Sequence, residues 1–180
     1  MAGLTREKIF LATEASIKRK GLHKTTLSDI AKELGVTHAA LYKHYKNKED
    51  LMQQLALRWL DTTSLELLRW EGREGISPKE DLHDWLWLLA TTKKELYKND
   101  KKMFRLYTDY LESTQVLVND HLKKLAEKVE SICGIHSIGP AVIKAFVYFH
   151  NPYFADRWDS EAYQDDFEAL WSLVANQVVE

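Results

Sequence analysis

The chain has 180 residues, 45% hydrophobic and 29% charged, the balance of a globular protein with room for one or two small domains. Seven glycines and three prolines write few turns into it, which favours helices over strands. The single cysteine, Cys133, excludes an internal disulfide framework and fits a reducing compartment. No apolar run approaches the ~20 residues of a membrane span, so a cytoplasmic protein is expected.

The net charge of −2 is unevenly spread. Residues 1–60 carry 11 Lys and Arg against 6 Asp and Glu, and the remaining 120 carry 14 against 21. A basic segment joined to an acidic body is the pattern of a localised nucleic-acid footprint. Solvated helices also produce such asymmetry by chance, so motifs must decide.

From Thr5 to Lys20, apolar residues recur at Ile9, Phe10, Ala12, Ala15 and Ile17, a helical spacing. Gly21 follows three cations suited to a helix C-terminus. Thr25 or Thr26 caps a second helix, and Thr26 with Asp29 has capping-box spacing. Its apolar stripe of Leu27, Ile30, Ala31 and Leu34 closes at Gly35. Thr37 caps a third helix reaching about Tyr45. Asn47 caps a fourth that runs to about Trp70, and the domain boundary is placed at its start, giving 1–47 and 48–180.

A fifth helix begins at Ser77-Pro78, with proline at the first helical position, and reaches about Lys98. Lys101 to Ile132 reads as one helix or two. Pro140 to His150 stops before Pro152, and a last helix spans about Asp159 to Val178.

Helix, tight turn with glycine, then short helix is the arrangement that places a second helix in the DNA major groove. Around the third helix Leu41 and Tyr45 share the core side, while His38, Ala39, Tyr42 and Lys43 cluster opposite. Small Ala39 permits close approach to bases, and His38 and Lys43 donate to acceptors on base edges. Tyr42 offers a hydroxyl for a phosphate and a ring for a thymine methyl, and Thr37 a phosphate contact. Lys48 opens the fourth helix, where a cation opposes the dipole; a nearby DNA phosphate would account for it.

The run from Thr25 to Leu51, TTLSDIAKELGVTHAALYKHYKNKEDL, resembles the signature of TetR-family regulators. A threonine-capped helix, Ile-Ala, Gly-Val, a hydroxyl residue, Leu-Tyr, an aromatic, and Lys-Glu before a leucine occur in order. Ala39 stands where the family often has glycine, and Ala40 where it often has threonine or serine, which removes one hydroxyl contact. The resemblance implies an all-α fold, with a three-helix N-terminal DNA-binding domain containing the helix-turn-helix. A C-terminal helical bundle would bind a small effector and form an obligate homodimer. Carried over by position, Thr26, Thr37, Tyr42 and Lys48 contact phosphates of double-stranded operator DNA, and His38, Ala39, Lys43 and His44 face bases.

In the second domain, Pro140–Phe149 has one charge and must be covered on most sides. With the last helix it supplies the expected dimer residues Val142, Phe146, Phe149, Phe167, Leu170, Trp171, Val174 and Val178. The other reading of this pair of helices is the core of a monomer. Six Trp, eight Tyr and six Phe are many for this size. Trp85, Trp87, Phe104, Tyr107, Tyr110 and Phe146 are the candidates to surround an aromatic cavity, against the plainer reading that they fill an ordinary core.

Cys133 and His136, with His121 and His150 in the same half, lack the second ligand pair of a closed zinc site. No Gly-rich phosphate loop, nucleophile elbow or HExxH motif occurs. No cofactor, metal or catalytic residue is therefore expected. The expected function is a repressor released from its operator by a small hydrophobic or aromatic effector. The alternatives are an activator, a regulator controlled by a protein partner, or a helical interaction protein with a vestigial DNA-binding head.

Overall fold

The computed structural model describes residues 4–178, with side chains through Gln177, and every regular element among them is helical. The chain divides into two compact units between Leu60 and Asp61.

In the first unit, α1 (Arg6–Lys20), α2 (Leu27–Leu34) and α3 (His38–Tyr42) precede α4 (Lys48–Arg69), which continues into the second unit. Thr5 accepts from Lys8 N at 3.3 Å to start α1. Ile9, Phe10, Ile17, Leu27, Ile30, Leu41, Tyr45, Leu51 and Leu55 are buried in the core. Arg58 of α4 reaches Glu7 of α1 at 2.5 Å and lies over the Phe10 ring at 5.3 Å. The N-terminal part of α4 is therefore built into the first compact unit, whose limit falls inside α4.

The third helix is shorter than its sequence suggests, five residues ending at Tyr42. The amides of His44 and Tyr45 both bond the Leu41 carbonyl, at 2.9 and 3.0 Å, so the helical ladder closes in a tightened turn. That turn carries Tyr45 inward beside Phe10, with ring centroids 6.1 Å apart.

The second unit holds α5 (Pro78–Asn99), α6 (Lys101–Glu112), α7 (Gln115–Cys133), α8 (Gly139–Ala145), α9 (Val147–His150) and α10 (Tyr163–Val178), with a 3-10 turn at Pro152–Arg157. Ser77 opens α5 through a full capping box with Glu80. Lys101–Ile132 is two helices, because the hydroxyls of Ser113 and Thr114 both turn back onto the Tyr110 carbonyl, at 2.6 and 3.5 Å, in competition with the ladder.

The segment anticipated as one helix from Pro140 to His150 breaks at Phe146, whose backbone (φ −87°, ψ 14°) leaves the helical region. Its buried ring packs against Phe167 at 5.3 Å. The last helix starts at Tyr163 and not near Asp159, since residues 152–157 wind into the 3-10 turn begun by the Asn151 side chain. Gly139 brings α8 against α7 so closely that a Cβ there would lie 2.1 Å from the Ala126 carbonyl oxygen.

Candidate nucleic-acid interface

The head is assembled by local caps. Thr26 accepts from Asp29 N at 3.2 Å, and Asp29 accepts from Thr26 N at 3.0 Å and from the Thr26 hydroxyl at 2.7 Å. The same carboxylate pairs with Lys20 at 2.6 Å. Lys20 first, and then Thr26, hold the Asp29 carboxyl down at about 2. Gly35 ends α2 in the left-handed region (φ 64°, ψ 30°), which a residue with a Cβ adopts only at a cost of about 1 kcal/mol or more. Thr37 then caps α3 by accepting from Ala40 N at 3.2 Å.

Leu41 and Tyr45 anchor this segment in the core. His38, Ala39, Tyr42 and Lys43 are exposed. Tyr42 is 50% exposed and stacks edge-on with His38, centroids 4.8 Å apart. His44 is half-buried and its ring lies 6.3 Å from Tyr45. The turn into α4 is clasped both ways: Asn47 accepts from Asp50 N, and Asp50 accepts from Lys46 N, each at 2.8 Å.

Lys48 has an account that the sequence did not offer. Its ammonium donates to the carbonyls of Leu22 and His23 at 2.7 and 3.2 Å. Two acceptors at the loop between α1 and α2 offset the unfavourable placement of a cation at a helix start. Thr26 is likewise engaged within the chain by its capping box.

The N-terminal region matches the family described as bacterial regulatory proteins, tetR family, over residues 9–55. Residues 78–171 match the tetracyclin repressor-like C-terminal domain. The chain belongs to the TetR family.

Among relatives of this TetR-family chain, the HTH-type transcriptional regulator TtgR of Pseudomonas putida is 45% identical over 51 residues, 28% of this chain and 24% of TtgR. The match thus spans about a quarter of that relative. The fold is shared with BioQ bound to its natural double-stranded DNA operator (TM-score 0.56, 17% identity, 97% of this chain and 99% of BioQ). It is also shared with FadR from Bacillus subtilis in complex with stearoyl-CoA (TM-score 0.55, 20% identity, 98% of both chains).

In the C-terminal unit of this TetR-family protein, the expected interface residues differ in exposure. Val142, Phe146, Phe149 and Phe167 are buried inside the single chain. Leu170, Trp171 and Val174 are half-buried, and the Val178 side chain lies outside the described residues. Among the described residues, Val147 and Leu173 are the large apolar side chains that these helices expose.

The expected ligand aromatics are mostly core. Trp85, Phe104, Tyr107 and Phe146 are buried, and Trp87 and Tyr110 are half-buried. The Trp85 indole donates to the Leu67 carbonyl at 2.9 Å, and Phe104 packs edge-on against Tyr97 and Trp158. Among the described residues no group of three or more His, Cys, Asp or Glu is arranged to hold a metal ion, and no helix is long and apolar enough to cross a membrane.

Sequence reasoning passed over Lys93. The signal was available: Leu82, Trp85, Leu86, Leu89, Lys93 and Tyr97 form one helical stripe of α5, and a lysine on such a stripe must be covered with the rest.

Proposed function

We propose that the protein is a repressor that binds operator DNA as a homodimer through α3 and leaves it when the C-terminal unit takes up a small effector. The observation that carries this reading is the division of α3 into two faces. Leu41 of the helix and Tyr45 of the turn after it fix the segment from inside, while His38, Ala39 and Tyr42 and the following Lys43 stand exposed together.

Ala39 lets the backbone approach base edges, and His38 and Lys43 supply donors. The Thr37 oxygen accepts from Ala40 N, and its hydroxyl proton serves a phosphate, as does the Tyr42 hydroxyl. His44, half-buried, reaches the groove margin. Thr26 and Lys48 act by holding α2 and the α1–α2 loop in place. BioQ bound to its operator and FadR bound to stearoyl-CoA support both halves of the proposal by shared fold.

In a two-fold dimer the two recognition helices must sit about 34–36 Å apart to meet successive major grooves. An effector that prefers a different spacing weakens DNA binding by linkage. Helix α4 runs unbroken from one unit to the other and is the covalent lever for that change.

The test is binding to the DNA upstream of the protein's own gene, against unrelated DNA of equal length, over a series of salt concentrations. Selective binding that weakens steeply with salt is expected, with broad loss in Tyr42→Ala and altered sequence preference in Lys43→Ala. Operator affinity unchanged in the double variant overturns the assignment of α3.

A further inference from the structure

The ring of His83, on α5, is held between two carboxylates, one on its own helix and one on α10. Its Nδ1 lies 3.0 Å from Asp84 Oδ1, and its Nε2 lies 3.1 Å from both oxygens of Glu168. The ring is half-buried and set edge-on against Phe167 and Trp171 of α10, with centroids 5.6 and 5.4 Å away. A neutral imidazole has one N–H donor and one acceptor nitrogen. In either tautomer one ring nitrogen then turns a lone pair toward an ionised carboxylate. An imidazolium donates from both nitrogens, and both contacts become charge-assisted hydrogen bonds.

The other charges around the ring are already engaged. Arg73, in the segment before α5, donates to Asp84 Oδ2 at 2.7 Å and to Asp81 Oδ1 at 3.0 Å. Its charge opposes a proton on His83, and Asp81 offsets it. Lys79 reaches Asn176 at 2.7 Å, and Glu80 is committed to the Ser77 cap. Asp165 stands one turn before Glu168 on α10. His83 first, and then Arg73, hold the Asp84 carboxyl below its ordinary range. The Glu168 carboxylate has only His83 as a partner among the described residues. On the far side Asp81 Oδ2 accepts from the Trp70 indole at 3.1 Å. A continuous line of bonds thus joins Glu168 on α10 to Trp70, the residue directly after α4, all within the second compact unit.

We infer that His83 is a proton-operated latch that fastens α10 to α5. With the proton on, it grips Glu168 and Asp84 together. As pH rises through the range in which histidine ordinarily loses its charge, the grip on Glu168 falls to at most one neutral hydrogen bond. The folded chain presents two carboxylates to the ring and the unfolded chain presents neither, so the latch contributes more at lower pH. Below about pH 5 the carboxylates themselves begin to take up protons, which sets the lower limit of its action. The inference is independent of operator and effector binding.

The experiment measures amide hydrogen exchange along α10 in the full chain, without DNA, at pH 6.0, 7.0 and 8.5, corrected for the intrinsic pH dependence of exchange. Wild type is compared with His83→Gln and Glu168→Gln, and circular dichroism verifies folding. The comparison between proteins is needed because buried His121 and His150, pushed down to about 3 and 4, destabilise all of them alike as pH falls below the ordinary histidine value of 6.5. Protection of α10 in wild type, relative to either variant, is expected to be about threefold greater at pH 6.0 than at pH 8.5, the reach of one partly exposed ion pair. Asp165→Asn, which leaves both contacts in place, should keep the wild-type dependence. The same pH dependence in wild type and in either folded variant overturns the inference. So does an Asp165→Asn protein that loses the dependence as fully as Glu168→Gln, since general charge on α10 would then be the cause.

Discussion

Replacing Lys93 by methionine removes a buried charge while keeping an unbranched side chain of similar length. A free lysine titrates at 10.5, and burial brings Lys93 to about 8. Each pKa unit corresponds to about 1.4 kcal/mol, so holding the ammonium in this core costs roughly 3 kcal/mol at pH 7. The sign follows from proton binding. Between pH 8 and 10.5 the unfolded chain retains the proton that the folded chain has lost, so stability rises with pH in that window. Below pH 8 both states are protonated and the full penalty stands.

Lys93→Met is therefore expected to raise stability at pH 7 by up to about 3 kcal/mol, less any favourable contact that the ammonium makes. With an unfolding entropy of ~2.1 cal/mol/K per residue, that is a rise of roughly 10 °C in the Tm of the C-terminal unit. The gain should shrink to nearly nothing by pH 10.5. Urea unfolding of wild type and variant at pH 7, 8.5, 9.5 and 10.5 provides the measurement. A variant less stable than wild type at pH 7, or a gain that does not vary with pH, would refute the reasoning.

Three further outcomes are expected. Gly139→Ala should destabilise the C-terminal unit by about 3 kcal/mol or more, because its Cβ would lie 2.1 Å from the Ala126 carbonyl oxygen and backbone must move to relieve it; thermal unfolding checks this. Tyr45→Phe should stabilise the head by about 1 kcal/mol, since the Tyr45 hydroxyl is buried without a hydrogen-bond partner and an unsatisfied buried group carries a penalty of that order; a lower urea midpoint would contradict it. Lys48→Met should cost the head about 1–2 kcal/mol by freeing the Leu22 and His23 carbonyls from charge-assisted bonds. Faster amide exchange at residues 21–25 would report the loosened loop.

The head was readable because its signals are local. Thr26 with Asp29, Gly35, Thr37 and Asn47 each act within four residues of their own position, and the caps fall where spacing placed them. The length of α3 was not readable, because its end depends on Tyr45 reaching Phe10 from the first helix.

In the C-terminal unit the difficulty is of a different kind. Phe146, Phe149 and Phe167 form a cluster with mutual ring distances of 5.3–6.1 Å. Hydrophobic periodicity shows that such rings must be covered but not whether the cover is the same chain or another. The stripe of α5 shows that Lys93 must be covered, but the cover comes from α7 and α9, which lie far along the chain and are brought to it only by packing.

The two caps at the start of α4, Asp50 N to Asn47 and Lys46 N to Asp50, make the junction between α3 and α4 a matter of phase. Each residue of a helix turns its successors by about 100°. One residue inserted or removed between Lys43 and Asn47 would rotate the start of α4 by more than a quarter turn while leaving every cap motif intact by composition. Lys48 would swing away from the Leu22 carbonyl and Arg58 away from Glu7. In this segment the count of residues is thus constrained more tightly than their identity. Tolerance to single-residue deletion, scanned from Gly35 to Leu51, should show its sharpest minimum there.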